Sequence, residues 1–568
     1  MKPIISFQNF GFQYTVQANP TLYDINLDIY PGEKVLIAGA SGSGKSTVAS
    51  CINGLIPFAY PGTCTGQLFV DGKEVKNGSI FEQSKTVGTV LQDTDGQFIG
   101  LTVAEDIAFA LENDCVEQEE MKQTVLDVAK LVDIDTHLEH APHELSGGQK
   151  QRVSLAGVMV DQVKVLLFDE PLANLDPAAG RTTIELIDRI QKQTQAAVII
   201  IEHRLEDVLW RHMDRIILMH DGRIAADMTP DELLCSPLLA QHGIREPLYL
   251  TALKYAGVQV TPDMHPEHVN KLLLTEKQKE QVRTWFGKEQ KAAASTEMAE
   301  PVLKVEHLTF GYLPERKNLE DVSFTVNKGE MVSIVGRNGA GKSTLAKLIC
   351  GFEKPDSGRI CLNARDLAAD TIKERAAYIG YVMQNPNQMI SKPMIRDEVE
   401  MALLQTDMTP EERKERVEET LKICGLYPFR NWPVSALSYG QKKRVTIASI
   451  LVQRPQILIL DEPTAGQDYH HYTEIMEFLQ ELNRQGFTIL MITHDMHLML
   501  EYTPRAIVFS EGRLLADTSA AHVLNNPALV ERASLKETSL YTLGTSCGIE
   551  KPQAFTQRFI DFEKEEVR

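Results

Sequence analysis

Two glycine-rich loops in this sequence have the composition that binds the phosphates of a nucleoside triphosphate. Residues 39–47 read GASGSGKST, and residues 336–344 read GRNGAGKST. Glycines let such a loop curl so that backbone N–H groups point inward, a lysine reaches the β- and γ-phosphates, and a serine hydroxyl reaches Mg²⁺. The predicted phosphate-binding residues are Gly39, Ala40, Ser41, Gly42, Ser43, Gly44, Lys45, Ser46, Thr47, Gly336, Arg337, Asn338, Gly339, Ala340, Gly341, Lys342, Ser343 and Thr344, with Ser46 and Ser343 also binding the metal.

A pair of acids follows an apolar run in each half of the chain. Asp169 and Glu170 follow VLLF, and Asp461 and Glu462 follow ILIL. The carboxyl ends of parallel strands are where such sheets bind ligands. We therefore predict that Asp169 and Asp461 hold Mg²⁺. Glu170 and Glu462 are predicted to orient or deprotonate an attacking water.

These chemical landmarks occur twice at almost constant spacing, which predicts one fold duplicated in tandem. The residues Gln92, Ser146 and Asp169 have counterparts 292 residues later, at Gln384, Ser438 and Asp461. A chain of 568 residues also exceeds the size that one hydrophobic core supports. We predict a first domain at 1–245, a connector at 246–300, a second domain at 301–535 and a tail at 536–568.

Short β-branched runs precede these motifs and alternate with helical patterns. The predicted strands are residues 34–38, 163–168, 197–201, 331–335, 456–460 and 488–492. Such alternation predicts an α/β fold with a mostly parallel sheet. In the connector we predict a charged helix over 266–291 and a flexible tether over 292–300. Phe559 and Phe562 in the tail are predicted to pack on the body of the protein rather than on a partner.

The composition favours an acidic cytoplasmic protein over a nucleic-acid binder. The formal net charge is −20, whereas proteins that grip nucleic acid usually present a basic face. Apolar runs are only as long as strands, and the first residues lack the apolar stretch of a secretory leader. The eight cysteines include no CxxC spacing, so zinc and iron–sulfur sites are not expected.

Residues 145–149 read LSGGQ, and this segment, in order with the other motifs, resembles the signature of the ATP-binding cassette (ABC) ATPases. The resemblance covers nearly all of both copies. It implies two tandem P-loop ATPase domains, each with a mostly parallel sheet core, an antiparallel β subdomain and a helical subdomain. ATP and Mg²⁺ are the implied ligands.

The resemblance also implies roles for residues outside the loops. His203 and His494 resemble the switch histidines beside the catalytic glutamates, and Tyr14 and Tyr312 resemble the aromatic residue that stacks on adenine. Gln92 and Gln384 resemble the Q-loop glutamines at the metal. The implied γ-phosphate-binding residues of the signatures are Ser146, Gly147, Gly148, Ser438 and Gly440. In this family the signature of one copy closes over the phosphate loop of the other, so two ATPs lie between two paired domains.

The second signature departs from the pattern, since residues 437–441 read LSYGQ with Tyr439 in place of a glycine. If the position requires positive φ, the site built on Lys45 is weaker. If it is ordinary helix, Tyr439 faces solvent or the other copy. We favour the second interpretation and predict that both sites hydrolyse ATP.

Segments near the Q-loops resemble the energy-coupling-factor (ECF) branch of importers. Residues 384–388 read QNPNQ and 102–109 read TVAEDIAF, similar to the branch's QNPDNQ and TVxEDVAFGLEN, and 201–204 read IEHR as in that branch. The first copy departs at Asp93, Thr94 and Gly96. Gln97, Phe98 and Met389 either line a groove for a membrane partner or pack inside the domain.

The ECF resemblance implies an energising ATPase subunit at the cytoplasmic face of the cell membrane, with a transmembrane coupling subunit and a membrane substrate-capture subunit as partners. Fusion of two such ATPases resembles hydroxymethylpyrimidine/thiamine importers, with cobalt and other vitamin systems nearly as close. Neither nucleic acid nor cargo is an expected ligand, and the two domains are expected to pair within one chain. The alternative is a soluble tandem ATPase of the F subfamily acting on the ribosome, whose connector is typically longer and strongly charged. A DNA-repair ATPase would need a long coiled coil, which the heptad pattern does not support.

Overall fold

The computed structural model describes residues 2–92, 94–173, 175–287 and 300–564. The described residues divide into two compact units, one within residues 1–285 and the other within 286–467 and 471–568, while 468–470 group with the first. Residues 292–299 of the predicted tether and the departure at Asp93 lie outside the described residues.

Both units contain an antiparallel sheet and a mostly parallel sheet. The strands of the first are β1 Ile5–Tyr14, β2 Leu22–Ile29, β3 Lys34–Gly39, β4 Gly62–Val70, β5 Lys73–Glu74, β6 Val87–Val90, β7 Val165–Asp169, β8 Ala197–Ile201, β9 Arg215–His220 and β10 Arg223–Met228. Those of the second are β11 Pro301–Phe310, β12 Leu319–Asn327, β13 Met331–Gly336, β14 Ser357–Leu362, β15 Arg365–Asp366, β16 Ile379–Val382, β17 Ile457–Asp461, β18 Thr488–Ile492, β19 Arg505–Ser510 and β20 Arg513–Thr518. All six predicted strands are confirmed to within two residues at each end.

The strand orders repeat between the units, which confirms the predicted duplicated α/β fold. The antiparallel sheets have the orders β2-β1-β4-β5 and β12-β11-β14-β15. The larger sheets have the orders β10-β9-β3-β8-β7-β6 and β16-β17-β18-β13-β19-β20, parallel except where β10 and β20 pair with their neighbours. In both, the strand that enters the glycine-rich loop is central and lies beside the strand before the predicted switch histidine.

Helices fill the space around these sheets. The first half has α1 Lys45–Ile52, α2 Leu55–Phe58, α3 Ile80–Ser84, α4 Val103–Asn113, α5 Gln118–Leu131, α6 Gly147–Met159, α7 Pro177–Thr194, α8 Leu205–Val208, α9 Pro230–Cys235, α10 Leu238–Gln241, α11 Leu248–Tyr255 and α12 Glu276–Phe286. The second half has α13 Lys342–Cys350, α14 Ile372–Ala376, α15 Ile395–Glu400, α16 Pro410–Ile423, α17 Tyr439–Leu451, α18 Tyr469–Arg484, α19 Met496–Tyr502, α20 Ala520–Leu524, α21 Pro527–Arg532, α22 Ser539–Ser546 and α23 Pro552–Phe562.

The main core of each unit joins both sheets to the helix that follows the glycine-rich loop. In the first unit, Ile5 and Phe7 of β1, Val35 of β3 and Ile52 of α1 belong to one buried cluster. The second unit has an equivalent cluster around α13. Since α1 and α13 are packed on both sides, the loops before them are held by the most buried part of each unit.

The connector differs from the prediction, whereas the tail agrees with it at Phe559. Residues 248–255 form α11, whose Tyr249 is buried and donates from its hydroxyl to the Pro266 carbonyl at 2.5 Å. The predicted helix over 266–291 begins only at Glu276, because Thr275 caps it by accepting from the Gln278 N–H. Most of the predicted connector therefore packs with the first unit. In the tail, Phe559 is buried within α23, as predicted.

Within the described ranges, none of the helices has both the length and the apolar character needed to span a bilayer.

Two strand glycines allow the signature helices to approach the sheets. A Cβ on Gly88 of β6 would lie 2.0 Å from Val158 Cγ1 of α6, and one on Gly380 of β16 would lie 2.2 Å from Ile450 Cγ2 of α17. We predict that Gly88→Ala and Gly380→Ala each destabilise the protein by about 1–3 kcal/mol, because valine and isoleucine cannot bend away. Urea denaturation measures the loss.

Gly157→Ala is the matched control for that experiment. Its Cβ would make only an ordinary contact, 3.7 Å from the Asp106 carbonyl oxygen. Because alanine is the better helix former, this variant is expected to be neutral or more stable by about 0.5–1 kcal/mol. Equal destabilisation by Gly88→Ala and Gly157→Ala would contradict the packing explanation.

Candidate active site

The glycine-rich loops lie between the central strand and the first buried helix of each unit. A Cβ at Gly39 would come within 2.4 Å of the Met219 carbonyl oxygen, and one at Gly336 within 2.1 Å of the Phe509 carbonyl oxygen, so only glycine fits at these positions. All the predicted loop residues follow in order, with Ser46 and Thr47 in the first turn of α1 and Ser343 and Thr344 in the first turn of α13. The first-turn N–H groups have no acceptor within their helices and are available to an anion.

Both loop lysines are buried and fold back over their own loops. The Lys45 ammonium donates to the carbonyls of Gly39 and Ala40, at 2.8 Å each. Lys342 donates to the carbonyls of Gly336 at 2.7 Å and Arg337 at 2.9 Å. Burial lowers the pKa of Lys45, and the Glu170 carboxylate partly offsets this shift. Each lysine is thus held over its own glycine-rich loop.

The predicted acids lie at the carboxyl ends of β7 and β17, one strand away from the loops across β8 and β18. Glu170 and Glu462 have the left-handed φ values of 48° and 46°, which are uncommon for glutamate. In both, the backbone N–H donates to the end of the neighbouring strand, Ile201 or Ile492, at 2.9 Å. The same strained conformation in both units fixes the direction of the carboxylate, as is common at catalytic positions.

The aspartates before these glutamates have the surroundings of metal ligands. Asp169 Oδ1 is buried and makes no hydrogen bond within the part of the chain that the structure describes. Burial raises the pKa of Asp169, and Lys45 opposes this shift. Asp461 accepts a hydrogen bond from Ser343, another predicted metal ligand of that unit, while burial raises its pKa. A divalent cation would supply the positive charge that both half-buried carboxylates need, so these residues fit Mg²⁺.

The two glutamates predicted to be catalytic have different partners. In the first unit, Gln92 Nε2 donates to Glu170 Oε2 at 2.6 Å, while His203 Nδ1 is 4.0 Å from Glu170 Oε1. In the second unit, His494 Nδ1 lies 2.7 Å from Glu462 Oε1. Burial raises the pKa of Glu170, and His203 partly offsets the shift. The structure therefore brings together three of these predicted residues at the first site and the histidine–glutamate pair at the second.

The residue before each histidine explains this difference. Glu202 is buried, and its Oε1 lies 3.3 Å from His203 Nδ1 and accepts the His203 N–H at 3.0 Å. The second unit has Thr493 at the equivalent position. Its hydroxyl accepts from the Asp495 N–H at 2.9 Å, and His494 contacts Glu462 instead. No role at the site was predicted for Glu202 from the sequence, although a carboxylate directly after the apolar run AVIII was a usable signal.

The signature segments begin the helices α6 and α17. Ser146 and Ser438 cap these helices by accepting from the N–H of Gln149 and Gln441. Gly147 and Gly148 form the first turn of α6, and Gly440 lies in the first turn of α17. Tyr439 is the first residue of α17 and is 41% exposed, so its position is ordinary helix, as we favoured.

The predicted adenine tyrosines lie near the phosphate loops. Tyr14 ends β1, and its hydroxyl is 3.4 Å from Thr47 Oγ1. Tyr312 follows β11, is half exposed and packs edge-on against Phe310 with 4.9 Å between the ring centroids. Both rings therefore have a surface on which a base can stack.

Two further polar residues reach the second site and were missed from the sequence. Tyr381 of β16 donates its hydroxyl to Asp461 Oδ2 at 2.9 Å, where the first unit has Thr89. Lys443 of α17 is buried and donates to the carbonyl of Gln384 at 2.7 Å. A lysine four residues before the buried Ile447, on the apolar stripe of a helix, was the available signal for Lys443.

Comparison with known proteins also identifies two ATP-binding cassettes in this chain. A family model described as ABC transporter matches residues 22–173 and 319–465, and one described as ATP-binding cassette cobalt transporter matches residues 236–310. The chain is 59% identical over 563 residues to a protein of Clostridium perfringens and 58% identical over 565 residues to one of Enterococcus faecalis, covering 99% of each chain in both pairs. Both relatives are provisionally named ABC transporter ATP-binding proteins.

A solved structure titled cbiO1 from Clostridium perfringens, part of the ABC transporter complex cbiONQ, is 34% identical to this chain with a TM-score of 0.39. The similarity covers 41% of this chain and 94% of that one. The two matches to the ABC transporter model together span more than half of the present chain. The chain therefore belongs to the ABC transporter ATP-binding family and is an ATPase with two ATP-binding cassettes in tandem.

Proposed function

We propose that this chain is the ATP-hydrolysing energy-coupling subunit of an ECF-type importer with several subunits. The observation that carries the proposal is that the same sheet in each cassette holds a glycine-rich loop, an aspartate–glutamate pair and a histidine, the positions predicted to bind phosphate and metal and to hydrolyse ATP. The match of residues 236–310 to a model described as ATP-binding cassette cobalt transporter supports the ECF branch. The proposed cargo is a vitamin, a vitamin precursor or a metal ion, bound by another polypeptide.

In the proposed cycle, both ATP molecules are bound between the two cassettes of one chain. One site uses Lys45, Gln92, Glu170 and His203 with Ser438 and Gly440. The other uses Lys342, Gln384, Glu462 and His494 with Ser146, Gly147 and Gly148. Since the signature contacts the γ-phosphate, ATP binds the closed pair more tightly than ADP does. Hydrolysis therefore favours opening, and this difference in binding free energy is what is passed to the membrane subunit.

The residues that act on the phosphates have distinct roles in this proposal. The lysines and loop N–H groups bind the β- and γ-phosphates, and the glutamates accept a proton from the attacking water. The histidines hold the water and the γ-phosphate in line with the glutamates. The residues that would hold Mg²⁺ are Ser46, Gln92, Asp169, Ser343, Gln384 and Asp461. When bound, the metal supplies positive charge to the phosphate oxygens.

Exposed apolar side chains beside the first Q-loop support the proposal that the chain has a membrane partner. Leu101 is 81% exposed and Ile99 is 65% exposed, and both precede α4. The second cassette exposes Met401 and Leu404 after α15. Two of the three residues named from sequence make contacts inside the domain instead, since Gln97 bonds to the backbone of Leu91 and Thr89, and Met389 accepts from the Met383 N–H. We propose that the exposed side chains contact the transmembrane coupling subunit at the cytoplasmic face of the membrane.

Affinity purification of the tagged chain from detergent-solubilised cells tests this function. We expect polytopic membrane proteins to be recovered with the wild-type chain, and at least about 10-fold less of them with Leu101→Asp, because a charge is placed in an apolar contact. The control is Val16→Asp, at a valine in the first cassette that is even more exposed than Leu101. Recovery of ribosomes in place of membrane proteins would reject the importer and support the F-subfamily alternative.

A further inference from the structure

A buried lysine connects the second signature helix to the Q-loop of its own cassette. Lys443 lies one turn into α17 and is 1% exposed. Its ammonium donates to the carbonyls of Met383 at 2.8 Å and Gln384 at 2.7 Å, directly after β16. These two charge-assisted hydrogen bonds attach the start of α17 to the residue that carries the Q-loop side chain.

The nearly complete burial of Lys443 is unusual for a lysine. Lysine is almost never fully buried, because its ammonium loses hydration. Burial lowers the pKa of Lys443 to about 8, and the carboxylates of Asp461 and Glu462 partly offset the shift. The side chain therefore lies where two backbone carbonyls and the two acids of the ATP site together favour a positive charge.

The first cassette makes a different connection at the equivalent position. Gln151 stands 292 residues before Lys443, on the corresponding helix α6. Its Nε2 donates to the Pro171 carbonyl at 2.5 Å, and its Oε1 accepts from Thr183 at 3.1 Å. That neutral side chain attaches the helix to the loop after the catalytic glutamate, whereas Lys443 attaches its helix to the Q-loop.

We propose that Lys443 is a positioning residue that transmits movement of the Gln384 backbone to the signature at Ser438–Gly440. The effect of this movement on ATP binding rests on the proposed function, in which Gln384 belongs to the ATP site of Lys342 and Ser438 closes the site of Lys45. ATP binding at the second site then shifts α17 and changes how the first site closes. The coupling passes through the second cassette, since the first cassette has glutamine in place of this lysine.

Amide hydrogen exchange of the full chain tests the proposal in a Lys45→Met background, where ATP binds tightly only at the site of Lys342. With Lys443 present, we expect ATP to slow exchange about 10-fold both in the loop 336–344 and in residues 439–442. In Lys443→Gln, the loop is still protected while 439–442 change less than about 2-fold. Lys443→Arg keeps the charge and the donors and is expected to restore the response.

The controls separate this coupling from folding and from the proposed function. Lys442→Gln removes a neighbouring charge that is not fully buried and should keep the full response. Lys443→Met, which keeps the side-chain length, replaces Lys443→Gln if the glutamine variant does not fold. The coupling is overturned if ATP protects residues 439–442 equally in the chain with Lys443 and in Lys443→Gln. It is also overturned if Lys443→Arg loses this protection to the same extent as Lys443→Gln. If ATP protects neither the loop nor 439–442 in any variant, the proposed ATP site itself fails.

Discussion

Replacing both Glu170 and Glu462 with glutamine is expected to lower ATP turnover by about 10²–10⁴-fold while ATP stays bound. Glutamine has nearly the shape of glutamate but cannot accept a proton from water at neutral pH. The Gln92 and His494 contacts retain an oxygen acceptor at these positions, so the site geometry persists. Steady-state ATPase assays and nucleotide retention on the purified chain measure the two effects.

The single variants decide whether both sites are active. We expect Glu170→Gln and Glu462→Gln each to lose turnover, because both cassettes have the glutamate, the aspartate and the histidine in place. A single variant with wild-type turnover would show that its site is idle. Glu112→Gln, on the exposed side of α4, is the matched control and should behave as wild type.

The second large effect is expected from the phosphate-loop lysines. Lys45→Met or Lys342→Met should weaken ATP binding at its own site about 100-fold, because charge-assisted hydrogen bonds contribute about 1.5–3 kcal/mol each. The fold should survive, since the carbonyls that these lysines contact lie at the loop and can be hydrated. Equilibrium ATP titration should then show one tight site in place of two.

Lys354→Met provides the control for that titration, as Lys354 is exposed and lies outside both glycine-rich loops. It should leave both affinities unchanged. Two tight sites in Lys45→Met or in Lys342→Met would mean that the ammonium does not bind phosphate, contrary to the position in which the structure holds it.

Local sequence patterns were sufficient wherever short-range physics sets the structure. The glycine positions, the lysine and the following helix are neighbours in sequence, and the six strands were predicted because buried parallel strands are continuous apolar runs. The constant spacing of the motifs likewise predicted the duplication. The helix over 266–291 was placed too early because the charge pattern carries no clear start, whereas the cap at Thr275 sets it.

What the sequence determined by itself is the chemistry of the chain: two cassettes, their lysines, acids and signatures, and the strands that present them. What only the tertiary structure decided is which side chains meet. His203 contacts Glu202 more closely than Glu170, and His494 contacts Glu462, although both pairs of motifs look alike in sequence. Such contacts depend on the packing of helices and strands that are far apart in the chain. A single replacement between the copies, threonine for glutamate or lysine for glutamine, changes which side chain or carbonyl is contacted without changing the sequence motif.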